Sequence, residues 1–367
     1  MEINLNGKGM FIWQVWNTEN EDPDAIAALA KEADFSHVII KVADGTNIYN
    51  FDRELQRDRI PPVAAALRAQ GIQVWGWQYI YGDNPLGEAR RAAQRVDSLG
   101  LDGFVIDAEK EYKRSGMDVA ARQYMQELRG ALPDTPLALA TYRYPLLHPQ
   151  IPYSEFLARC DLNMPQVYWM GSSNPDVQLM KSLQQYETIS PVRPMVPIGF
   201  AFKEGGYKPA PGEVSLFMKT AQEQRLTAAN FWSWDSSRKY LPNIWEEIRD
   251  YPWPSEAQPK DITQLLIDAL NTHNPATVAA LYTDQGVHVN ASRTVQGTPA
   301  ITDWYATLLN QVLPNAAFSL TGLGGTGNAR HMTWSATSSL GEVLNGNDTL
   351  GLLDGEIAYH YTFFTVG

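Results

Sequence analysis

The stretch DGFVIDAEKEY, residues 102–112, contains an apolar run that ends in acidic residues. The run FVI leads directly into Asp107 and Glu109, which are separated by one alanine. Strand side chains alternate between two faces, so these two carboxylates are expected on the same face. At a rise of about 3.3 Å per residue they would lie roughly 6.5–7 Å apart. The pattern therefore predicts a buried strand with a functional site at its carboxyl end.

Seven further apolar runs share this length and character, and amphipathic segments lie between them. Two of those segments end at Gly71 and Gly100, as helices often do before a following strand. Eight βα units in residues 1–250 predict a (β/α)8 TIM barrel of the α/β class. An open doubly wound sheet is disfavoured, because no glycine-rich fingerprint follows the first strand. The eight predicted strands are 9–16, 37–45, 72–82, 103–109, 137–144, 162–169, 194–202 and 228–236.

The pattern changes after the barrel. Residues 251–260, YPWPSEAQPK, contain three prolines and no periodicity, which indicates a linker. Residues 261–367 begin with two helical segments and continue with runs that alternate apolar and polar residues. Such runs are typical of half-buried antiparallel strands. We therefore expect a second, smaller α+β domain with its helices first and a curved sheet after them.

Composition excludes several classes of partner. The net charge of −12 excludes a nucleic-acid or anionic-membrane surface, which would need the opposite sign. No apolar run approaches the 18 or so residues of a membrane span. The single cysteine, Cys160, excludes an intrachain disulfide and is expected to be a small buried residue. The first ten residues lack the basic and apolar regions of a signal peptide, so the cytoplasm is the default expectation.

Acidic residues are predicted at the ends of three barrel strands. Asp44 follows the second strand, Asp107 and Glu109 end the fourth, and Asp235 follows the eighth. Active sites of TIM barrels lie at this face. Two neighbouring carboxylates raise the pKa of one of them, as a general acid requires. Glycoside hydrolases use such an acid to protonate the leaving oxygen. The alternative is structural, with Asp107 capping the loop and Glu109 paired to a basic residue of 110–114.

Tryptophans and tyrosines are frequent near the same strand ends, and their rings suit the C–H faces of sugars. The alternative is that about half of them are barrel core. Glutamine side chains nearby could bind sugar hydroxyls or an acetamide. The predicted substrate-binding residues are Asp44, Trp77, Gln78, Tyr142, Gln166, Trp169, Trp232 and Trp234, with Tyr168 beside the acids.

Residues 102–109 resemble the strand-four signature of barrel glycosidases that act on N-acetylhexosamine polymers. Family 25 lysozyme-type hydrolases carry D-x-E there, and family 18 chitinases carry D-G-x-D-x-D-x-E. HVIIKVADGT (37–46), LALATYRYP (137–145) and NFWSWD (230–235) also resemble family 25 strands, so the resemblance covers roughly residues 9–250. It implies that Glu109 is the general acid/base, that Asp107 orients the substrate acetamide, and that Tyr168 and Asp235 assist.

The sequence departs from both family patterns. Family 25 enzymes usually have an aspartate at the end of strand one, where this chain has FIWQVWN and Gln14 is the nearest polar residue. Val105 replaces the first inner aspartate of the chitinase pattern. Either Asp44 supplies the further carboxylate, or the barrel binds glycans without cutting them.

Three C-terminal stretches resemble a SnoaL-like domain of the nuclear transport factor 2 superfamily. They are LYTDQGVHVNAS (281–292), TVQGTPAITDWYATLL (294–309) and LLDGEIAYHYTFFTV (352–366). The resemblance implies a cone-shaped fold with one exposed sheet face, which forms a homodimer or presents a second binding surface. A small-molecule binding or isomerase-type activity in this domain is the alternative. The polar residues that could line a cavity of this domain are His288, Asp303, His331 and His360. They lack the i, i+4 helical spacing of a metal site, so no metal is predicted.

The sequence thus predicts a glycoside hydrolase that acts on a peptidoglycan-like or chitin-like glycan and needs no cofactor. Its predicted partner is a carbohydrate, and neither nucleic acid nor membrane is expected. The alternatives are a non-catalytic glycan-binding barrel and an activity in the C-terminal domain.

Overall fold

The computed structural model describes residues 5–253, 261–325 and 328–367. The chain divides into two compact units, Met1–Gln258 and Pro259–Gly367. The division falls inside the predicted linker 251–260, of which only residues 251–253 are described. No helix within the described ranges is long and apolar enough to cross a membrane.

The first unit is a closed barrel of eight parallel strands, as predicted. Each strand pairs with the next one along the chain, and the eighth strand pairs with the first. A short antiparallel hairpin, Phe51–Asp52 with Arg57–Asp58, follows the second strand. The strands are β1 (Gly7–Ile12), β2 (Phe35–Asp44), β3 (Gln73–Ile80), β4 (Gly103–Ala108), β5 (Leu137–Tyr142), β6 (Leu162–Val167), β7 (Ile198–Phe200) and β8 (Ala228–Trp232).

Helices cover the outside of these strands. Several begin with proline in the first turn, where its missing N–H costs no hydrogen bond. Asp22 also caps the first helix by accepting from the backbone N–H groups of Asp24 and Ala25. The helices are α1 (Pro23–Glu32), α2 (Ile60–Ala69), α3 (Pro85–Leu99), α4 (Met117–Ala131), α5 (Tyr153–Leu157), α6 (Pro175–Tyr186), α7 (Glu213–Glu223), α8 (Trp234–Tyr240) and α9 (Pro242–Asp250).

Seven of the eight predicted strands are shorter in the structure, and three of the differences bear on the site. The run 194–202 contributes only Ile198–Phe200, because Pro194 and Pro197 have no N–H to donate to a neighbouring strand. The strand predicted at 9–16 ends at Ile12 and is followed by a 3-10 turn, Val15–Asn17. The strand predicted at 228–236 ends at Trp232, and α8 begins two residues later.

Alternation along the strands divides the barrel core into two layers. One fills the barrel interior and includes Phe11, Ile39, Trp77 and Val105. The other layer lies between the sheet and the helices. It includes Phe104 and Ile106, which flank Val105 in the chain and point to the opposite face, and the buried Cys160. Position within a strand therefore decides whether a side chain faces the barrel interior or the helices.

One end of the barrel interior contains a buried polar pair. His37 Nε2 lies 2.6 Å from Asn230 Oδ1, and burial lowers the pKa of His37 to about 4. Gly9 lies between them, where a Cβ would come within 2.1 Å of His37 Nε2 and 2.4 Å of Asn230 Oδ1. Only glycine therefore fits at this position without displacing the pair.

We predict that Gly9→Ala lowers the free energy of unfolding by about 1–3 kcal/mol, the usual cost of overpacking a core. Gly130→Ala is the control, because Gly130 occupies an exposed position of helix α4 with nothing within 4 Å of the added Cβ. That change should be neutral or stabilising by up to about 1 kcal/mol. Urea unfolding of the full chain measures both. Equal midpoints for Gly9→Ala and the wild type would contradict the steric argument.

The second unit is an α+β domain in which two helices come first, as predicted, but a third helix follows the first two strands of the sheet. The helices are α10 (Ile262–Asn271), α11 (Pro275–Ala279) and α12 (Thr298–Thr307), and α12 continues into the π-helical turn Leu308–Val312. A six-stranded sheet has the order β10-β9-β14-β13-β12-β11. Its strands are β9 (Tyr282–Val289), β10 (Thr294–Gln296), β11 (Ala317–Gly324), β12 (Ala329–Ser338), β13 (Gly341–Leu353) and β14 (Glu356–Phe363).

Candidate active site

A cleft of about 710 Å³ opens at the carboxyl ends of the barrel strands. Its lining includes the predicted Asp107, Glu109 and Asp235. Gln166, Tyr168, Trp77 and Trp232 line it as well. Ligand sites usually combine such an apolar surface with a few convergent polar groups. The structure thus brings seven of the predicted site residues together in one cleft.

The two carboxylates at the end of β4, Asp107 in the strand and Glu109 directly after it, are joined by one amide. Gln166 Nε2 donates to Glu109 Oε1 at 2.9 Å and lies 3.2 Å from Asp107 Oδ1. Burial, and then the negative charge of Glu109, raises the pKa of Asp107 well above its ordinary value. Burial also raises the pKa of Glu109, and the hydrogen bond from Gln166 partly offsets that effect. The pair can therefore retain a proton at a pH where free carboxyl groups have lost it.

Lys41 is a buried cation of the cleft and is not among the site residues predicted from the sequence. Its Nζ lies 3.4 Å from Asp44 Oδ1 and 4.8 Å from the centre of the Trp77 ring. Asp44 also accepts from the hydroxyl of Tyr81 at 3.1 Å. Asp44 itself does not line the cleft, which corrects its prediction as a substrate-binding residue. Its charge is neutralised by Lys41 instead.

Aromatic rings form the floor of the cleft. Phe11, Trp77 and Trp232 pack edge to face with ring centres 5.2–6.2 Å apart. Trp77 Nε1 donates to the carbonyl of Ile12 at 3.1 Å, which fixes the indole. The ring centre of Trp13 lies 6.4 Å from that of Trp232, and Trp13 is 39% exposed. Its ring is therefore available to an entering ligand.

Three predicted substrate-binding residues face the helices instead of the cleft. Gln78 donates to the carbonyls of Gly45 and Glu88, because it alternates with the inward-facing Trp77. Trp169 is buried, and its Nε1 donates a hydrogen bond to Glu213 Oε2 at 2.9 Å. Trp234 donates to Glu19 from the first turn of α8.

A fourth prediction also needs correction. Tyr142 lies outside the cleft, with its ring centre 4.0 Å from both the His148 ring centre and Lys113 Nζ. Its position at the very end of β5 lets the ring turn toward the following loop.

The assisting residues predicted from the resemblance do line the cleft. Asp235 accepts from the Ser233 hydroxyl at 3.0 Å, and burial raises its pKa. Burial also raises the pKa of Tyr168, and the negative charges of the nearby Asp107 and Glu109 raise it further. The Tyr168 hydroxyl therefore remains protonated and can act as a donor. Gln14, two residues beyond the end of β1, also lines the cleft.

Tyr79, Lys203 and Glu204 also line the cleft but are not among the site residues predicted from the sequence. Tyr79 could have been found by alternation, since it follows Trp75 and Trp77 on the inward face of β3. Lys203 and Glu204 lie in a loop after β7, where no periodicity indicates their direction.

The interior of the second unit contains a buried chain of polar groups. Asp348 Oδ2 lies 2.9 Å from His360 Nε2, and His360 Nδ1 lies 2.5 Å from the hydroxyl of Tyr282. That hydroxyl lies 2.7 Å from the one on Tyr305. The adjoining cavity, which His288 also lines, measures about 10 Å³, room for roughly one water molecule.

The other two predicted cavity residues of this unit lie outside its interior. Asp303 is exposed on α12, and His331 is exposed with its Nδ1 3.3 Å from the hydroxyl of Thr349. Over the residues that the structure describes, no three histidine, cysteine or acidic side chains are placed to hold a metal ion.

Comparison with known proteins identifies the second unit. Residues 263–360 match the family model of the SnoaL-like domain. The C-terminal part of the chain is therefore a SnoaL-like domain, and it follows a closed eight-stranded parallel barrel. This match does not extend to the barrel, so it gives no support to a glycosidase family. No curated protein matches the chain.

Several solved structures are similar to part of the chain. A putative ketosteroid isomerase from Kribbella flavida is 16% identical, with 29% of this chain and 76% of that one covered and a TM-score of 0.26. A protein with a ketosteroid isomerase-like fold from Catenulispora acidiphila, in complex with trimethylamine, is 16% identical, with 29% and 88% covered and a TM-score of 0.27. A putative SnoaL-like isomerase from Agrobacterium tumefaciens is 23% identical, with 28% and 94% covered and a TM-score of 0.26. At these values the similarity carries no information about activity.

Proposed function

We propose that the barrel is a glycoside hydrolase that cleaves an N-acetylhexosamine-containing glycan of the peptidoglycan or chitin type. The observation that carries the proposal is the Asp107–Glu109 pair, joined by Gln166 in an aromatic cleft at the carboxyl ends of the strands. The raised pKa of both carboxyl groups supports a proton donor there. Trp13 and Trp232 offer ring faces for sugar C–H groups.

In the proposed reaction, Glu109 donates its proton to the glycosidic oxygen as the bond from that oxygen to the anomeric carbon breaks. The substrate's own acetamide oxygen attacks the anomeric carbon, and Asp107 orients the acetamide through its N–H. Tyr168 stabilises the developing charge by a hydrogen bond. Glu109 then takes a proton from the water that opens the cyclic intermediate, which restores the acid.

The test is the release of new reducing ends from peptidoglycan and chitooligosaccharides, with binding of the same glycans measured in parallel by calorimetry. An enzyme binds a glycan and releases products from it. A glycan-binding barrel, which is the runner-up function, binds without products. The observation that favours the runner-up is Gln14, which places an amide in the cleft. The family 25 hydrolases that the barrel sequence resembles usually have a carboxylate at the end of strand one.

A small-molecule or isomerase-type activity in the C-terminal domain is a further candidate. The buried Asp348–His360–Tyr282 chain favours it, because such a chain can move a proton. The cavity beside it has room for about one water and not for a substrate. A small ligand that stabilises the domain against heat would support this function, and the barrel proposal does not depend on it.

We also propose that the C-terminal domain forms a homodimer through its open sheet face. Tyr359, Tyr361 and Phe363 alternate along β14 and are each at least 40% exposed. They face the same side of the sheet, with Thr349 opposite Tyr361 and Asn347 opposite Phe363. A second copy can cover these neutral residues without burying an unpaired charge.

We predict that Tyr361→Glu converts a dimer of the full chain into a monomer in sedimentation velocity experiments. A charge at the centre of the buried face must lose its hydration when the two copies meet. Leu55→Glu, at an exposed position of the barrel hairpin, is the control and should leave the dimer intact. A wild-type chain that sediments as a monomer at micromolar concentration would contradict the proposal.

A further inference from the structure

A third acid continues the series Asp107, Glu109 at the same spacing. Glu111 lies in the 3-10 turn Lys110–Lys113 directly after β4. The hydroxyl of Tyr79 donates to Glu111 Oε2 at 2.5 Å. Tyr79 pairs with Asp107 across the β3–β4 ladder and lines the cleft. This hydrogen bond therefore holds the third carboxylate beside the pair that carries the proposed chemistry.

The charge of Glu111 is poorly compensated by cations. Its side chain is only 18% exposed, and Lys110 Nζ lies 4.0 Å away on a side chain that is 75% exposed. Arg114 binds the backbone carbonyl of Glu111 through Nε and directs Nη2 to Asp83 at 2.9 Å. The carboxylate thus depends on a neutral hydroxyl for its closest contact. A negative charge held in this way acts on its neighbours more strongly than one in an ion pair.

We propose that Glu111, held by Tyr79, is a positioning residue whose negative charge favours the protonated, proton-donating form of Glu109. The inference rests on the proposed function of Glu109 as proton donor. Glu111 does not line the cleft, so it acts through Glu109 and does not contact the substrate.

The surroundings of Glu109 set the sign of this effect. Burial is the largest cause that raises its pKa, Glu111 raises it further, and Lys110 and Lys113 lower it. Lys110 and Glu111 are adjacent in the chain. Replacing one or the other with glutamine therefore removes a positive or a negative charge at nearly the same place. The other titratable groups that face the cleft from the surrounding elements are Lys41, Tyr79, Asp107, Tyr168, Lys203, Glu204, Asp235 and Tyr240.

The test compares Glu111→Gln with Lys110→Gln in the full chain. The ¹³C chemical shift of the Glu109 carboxyl is followed against pH, and the pH dependence of kcat is measured alongside. Glu111→Gln keeps an oxygen that can accept from Tyr79, so it removes the charge and retains the contact. We expect the Glu109 titration and the alkaline limb of kcat to move to lower pH by roughly half to one and a half pH units. Lys110→Gln should move both to higher pH.

A purely structural role for Glu111 predicts a different result. Its replacement would then reduce kcat at every pH and leave the Glu109 titration where it was, and that outcome would overturn the proposal. The carboxyl titration needs no substrate. If the wild type showed no turnover while the two variants still shifted the titration in opposite directions, the electrostatic role would stand and the proposed hydrolysis would fail.

Discussion

Glu109→Gln is expected to lower kcat on the cleaved glycan by about 10²–10⁴-fold, the usual contribution of a positioned general acid. Glutamine has nearly the same shape as glutamate but cannot donate a proton to the leaving oxygen. Its amide oxygen can still accept from Gln166 Nε2, so the neighbouring Asp107 should remain in place. Initial rates of reducing-end release over a range of substrate concentrations measure kcat and KM separately. We expect the loss in kcat, with the affinity for the glycan retained.

A matched control separates this effect from a general loss of charge or fold. Glu223→Gln makes the same chemical change on the exposed face of α7, where Glu223 pairs with Lys219. Its activity should equal that of the wild type. Retention of more than about a tenth of the wild-type kcat by Glu109→Gln would contradict the role of Glu109 as proton donor.

Lys8→Met is expected to lower the free energy of unfolding of the barrel by roughly 3–5 kcal/mol, because hydrogen bonds from a charged group contribute about 1.5–3 kcal/mol each and the desolvation of the buried ammonium offsets part of their sum. Lys8 is almost completely buried in β1. Its ammonium donates to the carbonyls of Ile248, Arg249 and Tyr251 at 2.7–3.0 Å. These carbonyls end helix α9, so a single side chain ties the last helix of the barrel to its first strand. Methionine fills a similar volume but leaves the three acceptors without a donor.

Urea unfolding of the full chain, with the barrel transition followed by tryptophan fluorescence, measures this effect. Lys219→Met is the control, because Lys219 is exposed and lies 3.7 Å from Glu223 across one helical turn. Exposed pairs of this kind contribute at most about 0.5 kcal/mol. A barrel transition that Lys8→Met shifts no further than the control would show that water satisfies the three carbonyls.

Much of the barrel is predictable from sequence because its strands are apolar and regularly spaced. The position of β4 and the shared face of Asp107 and Glu109 follow from alternation alone. The same rule applied strictly would have excluded Gln78, which follows the inward-facing Trp77, and Trp169, which follows Tyr168. Those two errors come from judging aromatic and amide residues by type before considering the direction of each side chain.

Other features depend on contacts that no local pattern contains. The pairing of β2 with β3 shifts its register after Lys41, so alternation along β2 does not fix the direction of Asp44, which contacts Lys41 and Tyr81. The bond from Tyr79 to Glu111 joins residues 32 positions apart. In the second unit, the polar chain from Asp348 to Tyr282 brings together strands that are distant in sequence. Only the folded arrangement shows that their shared cavity is so small.

The most direct test of the central claim is a crystal structure of the Glu109→Gln variant with an N-acetylglucosamine oligosaccharide bound. Because the variant should bind without cleaving, the intact chain is expected to cross the cleft over Trp232. The side-chain amide at position 109 should lie about 2.6–3.2 Å from one glycosidic oxygen, with the preceding acetamide against Asp107. An oligosaccharide bound away from β4, or a cleft that remains without sugar at saturating concentration, would contradict the assignment of this site to glycan hydrolysis.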